Sequence, residues 1–305
     1  MGTQRPTVIG SGGISGLRPI NTLASFEHAL DHRLDGIELD YQVTADGYVV
    51  GHHDYTLSPE MTRDQQGEWL TEPGPPLRTL TLERLRAYDV GRAKPRSRPT
   101  RSYPDQIAVD GARIPTLEEL LDALTERGDD TTELWIEVKT DPFGDPGVTT
   151  PPDAFIGALL PRLEAADAIG RTVLIAFDWR VLRLALEAHP TIRTGFLTMD
   201  TRHLPAERNW PSTEGRSPWW GGWDPVDHGG SFVSAVHAAG GTYWSPYLQD
   251  ITAALVTEAH EAGVLVSTWG VGSEDEMTLA LDLGVDSITA SRPDLLQERV
   301  ATRFG

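Results

Sequence analysis

The chain has 305 residues, 39% of them apolar and 23% charged, a balance that allows a sizeable core and excludes a disordered or membrane-spanning class. Its 26 basic against 45 acidic residues leave a formal net charge of -19, which repels nucleic acid at long range. With no cysteine, disulfides, thiolate nucleophiles and zinc–thiolate sites are excluded.

The first seven residues, MGTQRPT, run straight into TVIG (7–10), a short strand of buried type. No apolar leader and no long apolar run is seen, so the expectation is a soluble, cytoplasmic chain without a transmembrane segment. A glycine-rich turn from Ser11 and a helix over NTLASFEHALDH (21–32) follow. GIELDY (36–41) reads as the second strand, with a hairpin turn at Asp46-Gly47 and a return ending in His52, His53 and Asp54. Residues 55–113 are rich in Pro, Arg and polar groups, with one clear helix at TLERLRAYD (81–89). They read as an insertion within a single domain spanning 1–305.

The alternation then becomes regular. Helix TLEELLDALTERG (116–128) precedes strand LWIEVK (134–139), and helix DAFIGALLPRLEAADAIG (153–170) precedes strand TVLIAF (172–177). Helix WRVLRLALEAH (179–189) leads to strand RTGFLT (193–198), after which residues 200–230 form a long loop holding Trp210, Trp219, Trp220 and Trp223. SFVSAVHAAGG, ITAALVTEAHEAG, EDEMTLALDLG and RPDLLQERVATRF are helical in period, and GTYWS (241–245), VLVSTW (264–269) and DSITA (286–290) are the strands between them. Eight strands, each followed by a helix, predict an α/β fold of the (β/α)8 TIM-barrel type. A doubly wound open sheet is the other topology compatible with the pattern.

In such a barrel, chemistry gathers at the C-terminal ends of the strands. Glu38 and Asp40 lie two residues apart and point to one side, and Glu137 and Lys139 share a parity on the next barrel strand. A single carboxylate at a strand end is often only a solvated rim charge. Three in a shared mouth repel one another unless a cation sits among them, and a hard divalent ion such as Mg²⁺ or Ca²⁺ suits oxygen ligands. His53 is placed to move a proton near neutral pH, with Asp54 beside it to set its orientation. His28, His32, His189, His237 and His260 fall in or at the ends of helices and read as structural, while His203 and His228 lie in the tryptophan loop.

The blocks GIELDYQVTADGYVVGHHDYTL, LWIEVKT, RIPTLEELLDAL, AFDWR and STWGVGSEDEMTLALDLGVDSITASRPDLL resemble, in order and spacing, those of the glycerophosphodiester phosphodiesterases. The resemblance spans nearly the whole chain, including LRAYDVGRAKP and YPDQ within the insertion. It implies a TIM-barrel enzyme dependent on a divalent metal. It also implies that Glu38, Asp40 and Glu137 are the metal ligands, His53 one of two catalytic histidines, and Lys139 a basic group near the substrate phosphate. The substrate it implies is a small phosphodiester.

The first loop departs from that pattern. Where the family carries His-Arg-Gly and Pro-Glu-Asn-Thr, this chain has Ser11-Gly12-Gly13 and Pro19-Ile20-Asn21-Thr22, so Ser11, Gly12 and Ile20 replace a histidine, an arginine and a glutamate. Gly270 and Gly272 replace larger residues, and Ala290-Ser291 stands where Thr-Asp is usual. A serine hydroxyl does not exchange a proton near pH 7 as imidazole does. Impaired or altered phosphodiester hydrolysis is the first expectation. The alternatives are a metal-assisted lyase or cyclase acting on a bulky phosphate or diphosphate, with Trp269, Trp220 and Trp223 as a substrate wall, and a non-catalytic binding protein or inactivated chain.

Overall fold

The computed structural model describes residues 4–200 and 215–305. Eight parallel strands close on themselves: β1 (Thr7–Gly10), β2 (Gly36–Val43), β4 (Glu133–Val138), β5 (Thr172–Ala176), β6 (Arg193–Thr198), β7 (Tyr243–Pro246), β8 (Leu265–Val271) and β9 (Ser287–Ala290). β1 is the closing strand, pairing with β2 through Ile9 and Gly36 and with β9 through Val8 and Ile288. Closure decides between the two topologies in favour of the barrel. A short antiparallel strand, β3 (Val49–Gly51), folds back on β2, and the Gly47 amide donates to Thr44 O at 3.0 Å across the expected turn.

The pleat sorts β2 cleanly. Ile37, Leu39, Tyr41 and Val43 join the main core that faces the helices, whereas Glu38 and Asp40 point into the barrel. The barrel interior below them is filled by Ile9, Trp135, Val173, Ile175, Leu197 and Tyr243, a packed plug on which the mouth rests.

The helices that bury the outer strand face are α1 (Leu23–Asp31), α4 (Leu117–Arg127), α5 (Pro152–Ala165), α6 (Trp179–Ala188), α7 (Phe232–Ala238), α8 (Ala253–Glu261), α9 (Glu274–Leu283) and α10 (Pro293–Phe304). Thr116 with Glu119, and Ser273 with Glu276, form reciprocal capping boxes at α4 and α9. The helix expected over 153–170 stops at Ala165: Asp167 takes a left-handed conformation (φ 52°), and a 3₁₀ turn at Ile169–Arg171 leads into β5.

The segment 55–113 holds less helix than its sequence suggests. TLERLRAYD gives only α2 (Leu82–Leu85), and a second short helix, α3 (Arg98–Ser102), appears where none was expected. Its order comes from a small core of its own, in which Leu57, Leu77, Leu80, Leu85 and Val90 pack with Val50 and Ile114. Gln106 Nε2 donates to Ser15 O at 2.7 Å, Ile107 N to Leu17 O at 3.0 Å, and Arg292 pairs with Asp105 at 2.8 Å. These contacts fasten the segment over the first loop. No helix among the described residues is long and apolar enough to cross a membrane.

Candidate active site

A pocket of about 250 Å³ opens at the C-terminal ends of the strands. Glu38, Asp40 and Glu137 line it, all buried, with one ligand oxygen from each lying within 4.8 Å of the others. The in-register pairing of Asp40 with Glu137 across β2 and β4 brings them together. Lys139, just beyond β4, sets its ammonium 2.8 Å from Asp40 Oδ1 and in contact with Glu137 Oε1.

The three carboxylates differ sharply. Burial pushes Glu38 well up from the usual carboxylate range, helped by the charges of Asp40 and Glu137, and the Gly12 N–H donated to its Oε2 at 3.0 Å only partly offsets this. Its Oε1 is buried with no hydrogen-bond partner. Burial also works against the Asp40 anion, yet Lys139, His53 and the Asn21 amide hold Asp40 down at about 2. Asn21 brackets it, donating Nδ2 to Asp40 Oδ2 at 2.7 Å and accepting from Asp40 N at 3.1 Å. Glu137 is raised by burial against the pull of Lys139. Burial opposes the Lys139 charge as well, but Asp40 and Glu137 overcome it and keep the ammonium charged.

If all three carboxylates were ionised, one ammonium would leave two negative charges uncompensated, and one buried oxygen among them lacks a donor. Such a donor set fits a hard divalent cation. Glu38, Asp40 and Glu137 would hold it.

His53 stands at the rim, half-exposed, with Nδ1 2.8 Å from Asp54 Oδ1. Lys139 and burial depress the imidazole, but Asp40 and Asp54 outweigh them and raise it above its ordinary value. His52 points elsewhere: its Nε2 is buried without a partner, burial lowers its basicity, and it does not line the pocket. Ser11 and Ile20 line the pocket from the loop after β1, beside Glu38 and Asp40, so the altered first loop does face the site. Gly12 is held at φ 55°, where a Cβ would lie 2.2 Å from Ile20 Cγ1, so the isoleucine side chain rests directly on the glycine backbone. Gly270 is similarly required: it has φ 80°, and the Tyr247 ring lies 2.3 Å from where its Cβ would be.

Of the tryptophans expected as a substrate wall, Trp269 lines the pocket. Trp220 instead packs on Trp179 and Phe232 with centroids 4.8 and 5.1 Å away, and Trp223 packs on Phe196 at 5.9 Å, so neither reaches the pocket. Trp210 and His203 lie outside the described residues. His228 closes a 3₁₀ turn at Pro225–His228 away from the pocket, and His260 pairs with Asp286 at 2.8 Å. The sequence reading missed Asn21, Tyr103 and Phe177. All three lay within quoted motifs, Asn21 in Pro19-Ile20-Asn21-Thr22, Tyr103 in YPDQ and Phe177 in AFDWR, but strand parity and periodicity pointed to none of them.

A closed (β/α)8 barrel with a carboxylate trio, a paired lysine and a rim histidine gathered at its C-terminal mouth belongs to the class of TIM barrels that carry their functional groups at that face. The "Glycerophosphoryl diester phosphodiesterase family" model matches residues 13–295, and the chain belongs to that family. It is 26% identical over 284 residues to the glycerophosphodiester phosphodiesterase of Bacillus altitudinis, covering 92% of this chain and 93% of that one. Among solved structures, a protein of Silicibacter pomeroyi DSS-3 named for glycerophosphoryl diester phosphodiesterase superposes with a TM-score of 0.84 at 32% identity, covering 98% of this chain and 94% of that one. An Oleispira antarctica phosphodiesterase, solved in complex with its product sn-glycerol-3-phosphate, shares the fold with a TM-score of 0.68 at 20% identity over 97% of each chain.

Proposed function

We propose that the chain is a divalent-metal-dependent phosphodiesterase acting on glycerophosphodiester-type substrates, with its acid/base chemistry reduced to His53. The observation that carries this reading is the unpartnered Glu38 Oε1, buried within a trio of carboxylates that one lysine only partly neutralises. Mg²⁺ or Ca²⁺ bound there would supply Lewis-acid stabilisation of phosphoryl charge. The protein's own residues do the rest. Asn21 and Lys139 fix Asp40, and Lys139 adds positive charge beside the phosphoryl oxygens. His53, oriented by Asp54, accepts a proton from attacking water and can return one to the departing oxygen.

On the first loop, Ser11 offers only a hydroxyl and Ile20 no polar group at all. Loss of a positioned acid or base costs about 10² to 10⁴ in rate, so alkyl diesters are expected to turn over slowly. A lyase or cyclase is the second reading, favoured by that uncharged loop. Reaction in ¹⁸O-water separates the two: label in the released phosphate monoester supports hydrolysis, and an unlabelled or cyclic product supports the lyase.

A further inference from the structure

We infer that one alcohol of the phosphodiester taken by this pocket is apolar and ring-bearing, seated against Ile20, Phe177 and Trp269. The inference rests on the phosphodiesterase reading of the same site and adds the class of substrate.

The pocket is divided by charge. Among the described residues, every titratable group lining it comes from β2, from the segment ending β4, from the hairpin return at His53, or from Tyr103. Ile175 of β5, Phe177 just after it, Leu197 of β6 and Trp269 of β8 make the side away from β2, and Ile20 brings an apolar side chain in from the first loop. The polar atoms there are the hydroxyls of Ser245, Ser267 and Thr289, which are neutral. A charged head group would lose hydration on this side and gain no ionic partner among the described residues.

The apolar side is also preorganised. Trp269 donates Nε1 to Ser245 O at 3.1 Å, meets Phe177 edge to face at 5.4 Å, and is backed by Tyr247 at 5.0 Å. Ile20 is seated on the Gly12 backbone. A ring entering this wall orders little that is not already ordered, so its buried area converts efficiently into affinity. With about 250 Å³ enclosed, the pocket accommodates a phosphoryl group and one ring.

The test uses the full chain with Mg²⁺ and two non-hydrolysable monoanions, the benzyl and glyceryl monoesters of methylphosphonic acid, titrated by calorimetry. The benzyl ester is expected to bind at least about tenfold more tightly. Phe177→Ala should shrink that preference to about threefold or less, and Ile20→Glu, at a partly exposed loop position, should do the same where the first variant fails to fold. Equal affinities, tighter glyceryl binding, or a preference untouched by both variants would overturn the inference. Hydrolysis of methyl benzyl phosphate and methyl glyceryl phosphate, whose leaving alkoxides are similar in basicity, is measured alongside. Cleavage of neither, with the benzyl binding preference intact, counts against the phosphodiesterase reading and sustains the assignment of the apolar wall.

Discussion

Glu38 Oε1 has no donor, while Asp40 is bracketed by an amide and an ammonium, and these two carboxylates set the behaviour of the site. Glu38→Gln removes a buried charge that burial already disfavours. The metal-free protein is expected to gain about 1–3 kcal/mol in urea denaturation and to lose its stabilisation by Mg²⁺. Because Glu38 holds its proton above the usual range, proton and cation compete for it, and Mg²⁺ affinity in the unaltered chain should rise from pH 5 to pH 8. A flat or falling affinity would count against Glu38 as a ligand. Asn21, at φ 55°, combines a strained backbone with the amide that anchors Asp40. Asn21→Gly relieves the strain yet should still cost about 1–3 kcal/mol, and a variant as stable as the parent would deny the amide its anchoring role. His53 is raised, so its base form is gained only as pH climbs through a value above the ordinary 6.5. In the metal-free protein the His53 imidazole, followed by NMR, should therefore titrate above 6.5, and a midpoint below that value would contradict the Asp40 and Asp54 contacts.

At the scale of elements, the first loop is a coupled unit. Gly12→Ala alone places a Cβ against Ile20 in a left-handed backbone and should destabilise by about 2–4 kcal/mol. Combined with Ile20→Ala, part of that cost is expected to return, and strict additivity in the double-mutant cycle would contradict the packing. The strands and outer helices were legible in sequence because β-branched runs, capping residues and helical period all act locally. The shared side of Glu38 and Asp40 was legible too, since strand parity sets it, while the register of β4 against β2 is what adds Glu137. The inserted segment was not. Gln106 meets Ser15 across 91 residues of sequence, and such a contact leaves no periodic trace. Trp220 and Trp223 misled for a related reason: an aromatic in a loop after a strand packs as well against helix α6 as over a pocket, and the residue type does not distinguish the two.

Over the whole molecule, barrel closure gathers side chains from β2, β4, β5, β6, β7, β8, β9 and the loop after β1 around one mouth. The interior plug beneath keeps water and ligand at the C-terminal end. With a net charge of -19 the long-range field opposes any anion, so under the proposed function an anionic substrate would depend on local groups, chiefly Lys139 and a cation at the carboxylates. The central claim is thus that this mouth cleaves phosphodiesters only with a divalent ion in the Glu38–Asp40–Glu137 trio. The direct measurement is release of alcohol from a panel of phosphodiesters by the full chain before chelation, after chelation, and after Mg²⁺ or Ca²⁺ is restored, with Glu137→Gln run in parallel. The expected result is activity that chelation abolishes, that the ion restores, and that the variant lacks at every ion concentration. Activity unaffected by chelation and by Glu137→Gln would contradict it.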